Sequence, residues 1–318
     1  MRLLITGASG LLGLNICCVG TEQNLDVIGM VHTRGLQGTP FEIIQGDLLA
    51  IEESFAQIEA KQPDAIIHCA AIADLNLAEK QPEMAYRLNA EVPGRLAAAA
   101  RNWGIPFVHI STDAVFDGEK GNYHETDPTN PLSVYARTKL AGERAVQAAN
   151  PNALIARVVF FGWSLSGQRS LSEFFYNHLG AGKVVNGFTD TFFSPLYTED
   201  LAEILLEMLE ANLTGLYHVV SSESISKFGF GVRLADKFGF DSRLITPISA
   251  KSLNRGAQRS LNLILNCGKL EKALGHGLPT VDEGIEAFYQ AWLACYPQKL
   301  QGFHDIPVSY THLTLPTN

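Results

Sequence analysis

Five apolar-rich runs divide the first half of the chain: Leu3-Leu4-Ile5, Val27-Ile28-Gly29-Met30-Val31, Ala65-Ile66-Ile67, Phe107-Val108-His109-Ile110 and Leu154-Ile155-Ala156-Arg157-Val158. Side chains on a strand alternate between its two faces, so a run that is apolar at consecutive positions suits a strand covered on both. Between the runs lie helical stretches. Pro82 to Trp103 is rich in Ala and Leu, and Ser133 to Ala149 opens on a serine suited to an N-cap. This βαβα order predicts an α/β fold with a Rossmann-like, doubly wound parallel sheet. After Gly162 the alternation decays. A helix is expected over Ser170 to Leu179, an extended segment over Thr189 to Leu196, and a helix from Thr198 to Ala211 with a hydroxyl cap and acids in its first turn. A strand over Gly215 to Val220 and a helix over Ile225 to Phe238 follow.

At 318 residues and 46% hydrophobic content, the chain can bury a full core. A balance of 24 basic against 33 acidic residues gives −9, which lacks the positive field of a nucleic-acid binder. Cys17, Cys18, Cys69, Cys267 and Cys295 form neither an even framework nor a CxxC pair, so free thiols in a reducing compartment and no metal site are expected. Gly7, Gly10 and Gly13 interrupt the first apolar stretch, which argues against a secretory signal. No apolar stretch has the length of a membrane span. A cytoplasmic protein is the expectation.

Gly7-Ala8-Ser9-Gly10-Leu11-Leu12-Gly13 stands directly after the first strand run and before an apolar helix. In that context Gly7 permits a tight turn, Gly10 lets backbone amides approach a pyrophosphate, and Gly13 allows close packing of helix on strand. Leu11 and Leu12, between them, join the expected cofactor contacts. The second run ends in Val31-His32-Thr33-Arg34 with no acid to bond a ribose 2′-hydroxyl, which favours NADP(H), with Arg34 on the 2′-phosphate, over NAD(H). We therefore expect a dinucleotide-binding domain built from residues 1–157 and 189–220. A smaller, partly interleaved domain would comprise 158–188 and 221–300. Residues 301–318 have no helical period and read as a tail, of which 308–317 resembles a non-native extension.

Tyr135 and Lys139 lie four residues apart in the Ser133 to Ala149 stretch, one above the other on a helix face. A nearby ammonium is expected to stabilise a phenolate and lower the tyrosine pKa, so that Tyr135 exchanges a proton with a carbonyl oxygen. Thr112, in Ser111-Thr112-Asp113, supplies a hydroxyl at the carboxyl edge of the sheet, where ligands bind in such folds; a local cap is its bland alternative. Asn89 falls within a helix, where a buried polar role and a helix-bending role are equally open.

These stretches, with Gly46-Asp47-Leu48, His68-Cys69-Ala70-Ala71, Leu88-Asn89-Ala90, Ser111 to Gly118 and Phe193 to Leu201, resemble the extended short-chain dehydrogenase/reductases, and within them the dTDP-4-dehydrorhamnose reductase group. The resemblance covers roughly residues 1–295. It implies an NAD(P)-dependent oxidoreductase that reduces a keto group on a nucleotide-linked deoxysugar. Tyr135 would be the proton donor, Lys139 would bind the nicotinamide ribose, and Thr112 would hold the substrate carbonyl. Asp47 and Leu48 would lie by the adenine, and Ala70 and Ala71 would line the cofactor. Asp113 would contact the sugar and Trp163 would stack on it, core packing being the other reading of Trp163. Ala114 stands where the group commonly has tyrosine, and His68 where it commonly has asparagine. Alternatives are a nucleotide-sugar epimerase or dehydratase that retains NAD, and a non-catalytic, cofactor-binding regulatory subunit. The expected partner is a small nucleotide-sugar, with neither nucleic acid nor membrane, and a homodimer is the assembly to look for.

Overall fold

A computed structural model describes residues 1–252 and 260–303 and the backbone of Ile306–Pro307; the Arg34 side chain and residues 308–318 of the expected tail lie outside the described residues. Seven parallel strands form the central sheet: β1 (Arg2–Thr6), β2 (Asp26–Val31), β3 (Glu42–Gln45), β4 (Ala65–His68), β5 (Phe107–Thr112), β6 (Leu154–Val158) and β7 (Gly215–Val219). Their order across the sheet is β7-β6-β5-β4-β1-β2-β3. The chain therefore works outward from β1 in one direction, then returns to β4 and works outward in the other. Such a reversal opens a crevice at the carboxyl ends of β1 and β4.

Every residue of β4, β5 and β6 is buried, as consecutive apolar positions require. Along β1 the burial alternates between two cores. Leu3 and Ile5 join a cluster shared with helices α1 (Leu11–Glu22) and α6 (Thr198–Glu210), while Leu4 joins Ile58, Leu96 and Val146 on the opposite face. Those last three belong to α2 (Ile51–Ala60), α3 (Val92–Trp103) and α4 (Val134–Ala149). β3 breaks the pattern as a four-residue edge strand with exposed ends, and no apolar run marks it.

The expected helix over Pro82 to Trp103 is present with a defect in it. Pro82–Tyr86 and α3 are joined by a π-helical turn, Arg87–Glu91. Asn89, fully buried in that turn, accepts from the Ile72 amide at 2.8 Å, and donates to the Ile72 carbonyl at 3.1 Å and to Thr138 Oγ1 at 3.0 Å. Both readings of Asn89 hold together: the extra residue aims the amide, and the amide ties the loop after β4 to α4.

Beyond β6, short strand pairs build the second region. Phe160–Phe161 runs parallel to Leu196–Tyr197, and Val185–Phe188 runs parallel to Ile245–Ile248. Thr198 is the first residue of α6 and not its cap; Tyr197 takes the cap position, and Glu199 and Asp200 fill the first turn. α5 (Leu171–Gly180) carries a full capping box between Ser170 and Glu173. Within the stretch expected as a tail, Phe303 is buried against Phe41, and the Ile306–Pro307 backbone pairs with Arg34–Gly35.

Candidate active site

Gly7 follows β1 directly with φ of 70°, and a Cβ there would lie 2.8 Å from the backbone of Ala70, in the loop after β4. A Cβ on Gly13 would lie 2.4 Å from the Gly7 carbonyl oxygen. The loop thus folds back against α1 at a distance only glycine allows. Gly10 occupies the N-cap position of α1 with no side-chain cap, so the first amides of the helix remain available to an anion.

A cleft of about 410 Å³ opens here, lined by Gly7, Gly10, Leu11, Leu12, Gly13 and Ala71 from the cofactor side and by Thr112, Asp113, Tyr135 and Lys139 from the other. A narrower slot of about 180 Å³ between the end of β2 and the loop after β4 is lined by Asp47, Leu48 and Ala70 among mostly apolar neighbours. An apolar slot, a glycine cradle and a polar cleft in succession fit the adenine, pyrophosphate and nicotinamide portions of a dinucleotide. The Arg34 side chain, expected on a 2′-phosphate, lies outside the described residues. His32, which the sequence reading passed over, lines the slot with Nε2 3.7 Å from Asp47 Oδ1. Its position one residue past β2 was the available signal.

Thr112 ends β5. Its Oγ1 donates to Asp113 Oδ1 at 3.0 Å and accepts from the Ala114 amide at 3.2 Å, so the cap and the cleft hydroxyl are one residue. Tyr135 and Lys139 rise from α4, whose Ser133 cap accepts from the Ala136 amide. Lys139 is buried, donates to the Ile110 carbonyl at 2.6 Å and lies 3.5 Å from His109 Nε2. Burial pushes its pKa down to about 8, against the raising influence of Glu143.

The phenol behaves otherwise than expected. Burial pushes the Tyr135 pKa up to about 12, Asp113 adds to the rise, and the adjacent Thr112 hydroxyl opposes it. The Lys139 ammonium, turned to Ile110, is not among the influences that set it. A phenol that stays protonated through neutral pH is suited to donating a proton. Asp113, also buried, is pushed up to about 6 by desolvation.

Behind Lys139, His68 and His109 stand in register on β4 and β5 with rings stacked at 5.7 Å. Burial drives His68 down to about 3 and His109 well below its ordinary value, so both are neutral. Neutral rings leave the Lys139 charge unopposed by a second cation. His68 Nδ1 meets Thr6 Oγ1 at 2.8 Å.

Trp163 does not reach the cleft. It is buried, stacked on Phe288 at 4.0 Å, and donates from Nε1 to the Phe288 carbonyl at 3.1 Å. The core reading of Trp163 replaces the sugar-stacking one, because both its ring and its N–H are committed to Phe288. Among the cleft residues to which the sequence reading gave no role are Cys69 and Arg169. Cys69 stood inside a quoted motif; Arg169 had no spacing to mark it. Among the described residues no cluster of His, Cys, Asp and Glu could hold a metal, the five cysteines are free thiols, and no helix is long and apolar enough to cross a membrane.

Residues 1–293 match the family model described as RmlD substrate binding domain. The chain is 34% identical to the Haloferax volcanii protein named "Probable low-salt glycan biosynthesis reductase Agl14", over 92% of this chain and 98% of that one. It is 33% identical to a dTDP-4-dehydrorhamnose reductase of Mycobacterium tuberculosis, over 81% and 83% of the two chains. It is 32% identical to the methionine adenosyltransferase 2 subunit beta of Danio rerio, over 85% and 84%. Among solved structures, the dTDP-4-dehydrorhamnose reductase of Bacillus anthracis in complex with NADP superimposes with a TM-score of 0.77 at 25% identity, covering 91% of this chain and 98% of that one.

Proposed function

The chain belongs to the RmlD substrate binding domain family, and on that premise we propose that it is an NADPH-dependent reductase of a keto group on a nucleotide-linked deoxysugar, with Tyr135 as proton donor. The observation that carries the proposal is the meeting of Thr112, Tyr135 and Lys139 with the glycine loop in one cleft. Gly7, Gly10 and Gly13 would hold the pyrophosphate of an NADPH bound along the slot and the cleft, and Asp47, Leu48, Ala70 and Ala71 would bound its adenosine half. The chemistry it would supply is a hydride for the substrate carbonyl.

Thr112 orients the carbonyl oxygen. Tyr135, protonated at neutral pH, gives up its phenolic proton as charge develops on that oxygen. The Lys139 ammonium, held by Ile110 and without a part in setting the Tyr135 pKa, would bind the nicotinamide ribose. NADP(H) is preferred to NAD(H) because no acid follows β2 in Val31-His32-Thr33-Arg34. The test is a panel of dTDP-, UDP- and GDP-linked 4-keto-deoxysugars assayed by NADPH oxidation. Stoichiometric oxidation with one of them supports the proposal, and no oxidation with any of them sinks it.

The likeness to a methionine adenosyltransferase 2 subunit beta supports a second reading, a cofactor-binding regulatory subunit. Cofactor binding without turnover on any sugar in the panel, together with co-purification of a partner enzyme, would favour it. The intact Thr112, Tyr135 and Lys139 argue for catalysis.

A further inference from the structure

A cleft that takes a dinucleotide beside a nucleotide-sugar must accommodate two diphosphates. The amides at the start of α1 answer the first. Among the described residues that line the cleft, the cationic side chains are Lys139 and Arg169, and Asp113 adds a carboxyl group. Lys139 is buried, engaged with the Ile110 carbonyl and part of the proton chemistry. Arg169 is exposed and sits where the chain, having left the Val158-Val159-Phe160 wall of the cleft, returns to it before α5.

The loop that carries Arg169 is tied down by one side chain. Glu173, fully buried, accepts from the Ser164 amide at 2.6 Å and from Ser164 Oγ at 2.9 Å. It also accepts from the Arg169 amide at 2.7 Å and the Ser170 amide at 3.0 Å. Both ends of the loop are thereby fixed to one carboxylate. Ser170 Oγ adds a bond to the Gly162 carbonyl at 2.7 Å. The backbone under Arg169 is ordered before any ligand arrives, which lowers the entropic cost of recognition. A guanidinium presents a planar fork of donors that matches two oxygens of a phosphate.

The geometry points to Arg169 as the residue that recognises the diphosphate of the nucleotide-sugar, presented by a loop that Glu173 anchors. This rests on the nucleotide-sugar reading above. The experiment is calorimetric titration of thymidine diphosphate into the full chain saturated with NADPH, for wild type, Arg169→Gln and Arg169→Lys, with the NADPH affinity of each measured separately. Arg169→Gln is expected to weaken thymidine diphosphate binding by roughly 10- to 100-fold, the equivalent of one charge-assisted hydrogen-bonded contact. Arg169→Lys should recover part of the loss, and NADPH affinity should stay near wild type in both. Unchanged thymidine diphosphate affinity in Arg169→Gln, or a loss that falls on NADPH instead, overturns the assignment and leaves the function standing. A wild-type chain that binds no thymidine, uridine or guanosine diphosphate overturns the nucleotide-sugar reading and the assignment with it.

Discussion

The proposed chemistry turns on Tyr135, whose environment suits it to the role of donor. Burial and Asp113 push the phenol up to about 12, so that it is protonated at neutral pH, as the proposal requires. Tyr135→Phe should keep NADPH affinity and lower kcat by roughly 10²- to 10⁴-fold, the usual contribution of a positioned acid; turnover near wild type would remove Tyr135 from the mechanism. Lys139 predicts a pH dependence. Its folded pKa is depressed to about 8 from an ordinary 10.5, so the ammonium is present below that value and is lost as pH rises through it. The kcat/KM profile should therefore fall on an alkaline limb near pH 8. A profile flat to about pH 10 would separate the ammonium from catalysis. That Tyr135 and Lys139 share a helix face was legible from their spacing, but the direction of the phenol shift was not. Spacing puts the two side chains on one face of α4 without saying that Lys139 turns to the Ile110 carbonyl.

Among the elements, the parallel strands were legible because burial on both faces writes itself as consecutive apolar residues. β3 was not, since an edge strand buries only part of its surface and Glu42–Gln45 has polar ends. The helix before β5 was visible, whereas its π-turn was not, because the turn depends on contacts of Asn89 with Ile72 and Thr138, far off in sequence. Asn89→Ala leaves the buried Ile72 amide without its acceptor, and should cost about 1–3 kcal/mol of unfolding free energy in denaturant titrations. The glycine loop was legible in full, and its structure sharpens the reason. Gly7→Ala combines a left-handed backbone with a Cβ at 2.8 Å from Ala70. The backbone alone costs about 1–2 kcal/mol, so the variant should be less stable and bind NADPH more weakly. NADPH affinity equal to wild type would show that the cradle tolerates a side chain. The candidate site was half written in motifs. Trp163 carried two readings because an aromatic near a site fills core as readily as it meets a ligand, and here Phe288 claims it.

At the scale of the whole molecule, a buried polar network fixes the wall of the site to the sheet. Ser111 Oγ donates to Glu143 at 2.5 Å, and Glu143 pairs with Arg157 at 2.7 Å and 2.9 Å. Arg157 reaches His218 at 3.4 Å and lies over the Phe116 ring, linking α4 to β5, β6 and β7. Glu143→Ala strands the Arg157 charge and should cost about 3–5 kcal/mol, whereas replacing both partners with apolar residues should cost far less; equal losses would deny the pairing its role. The same α4 that carries Glu143 carries Tyr135 and Lys139, so the sheet, the network and the chemistry share one helix. The most direct test of the account is NADPH oxidation measured against product formed with a dTDP-linked 4-keto-deoxysugar, for wild type and Tyr135→Phe in parallel. One NADPH should be consumed per sugar reduced by the wild type and almost none by the variant. A wild-type chain that binds both ligands and oxidises no NADPH would contradict it.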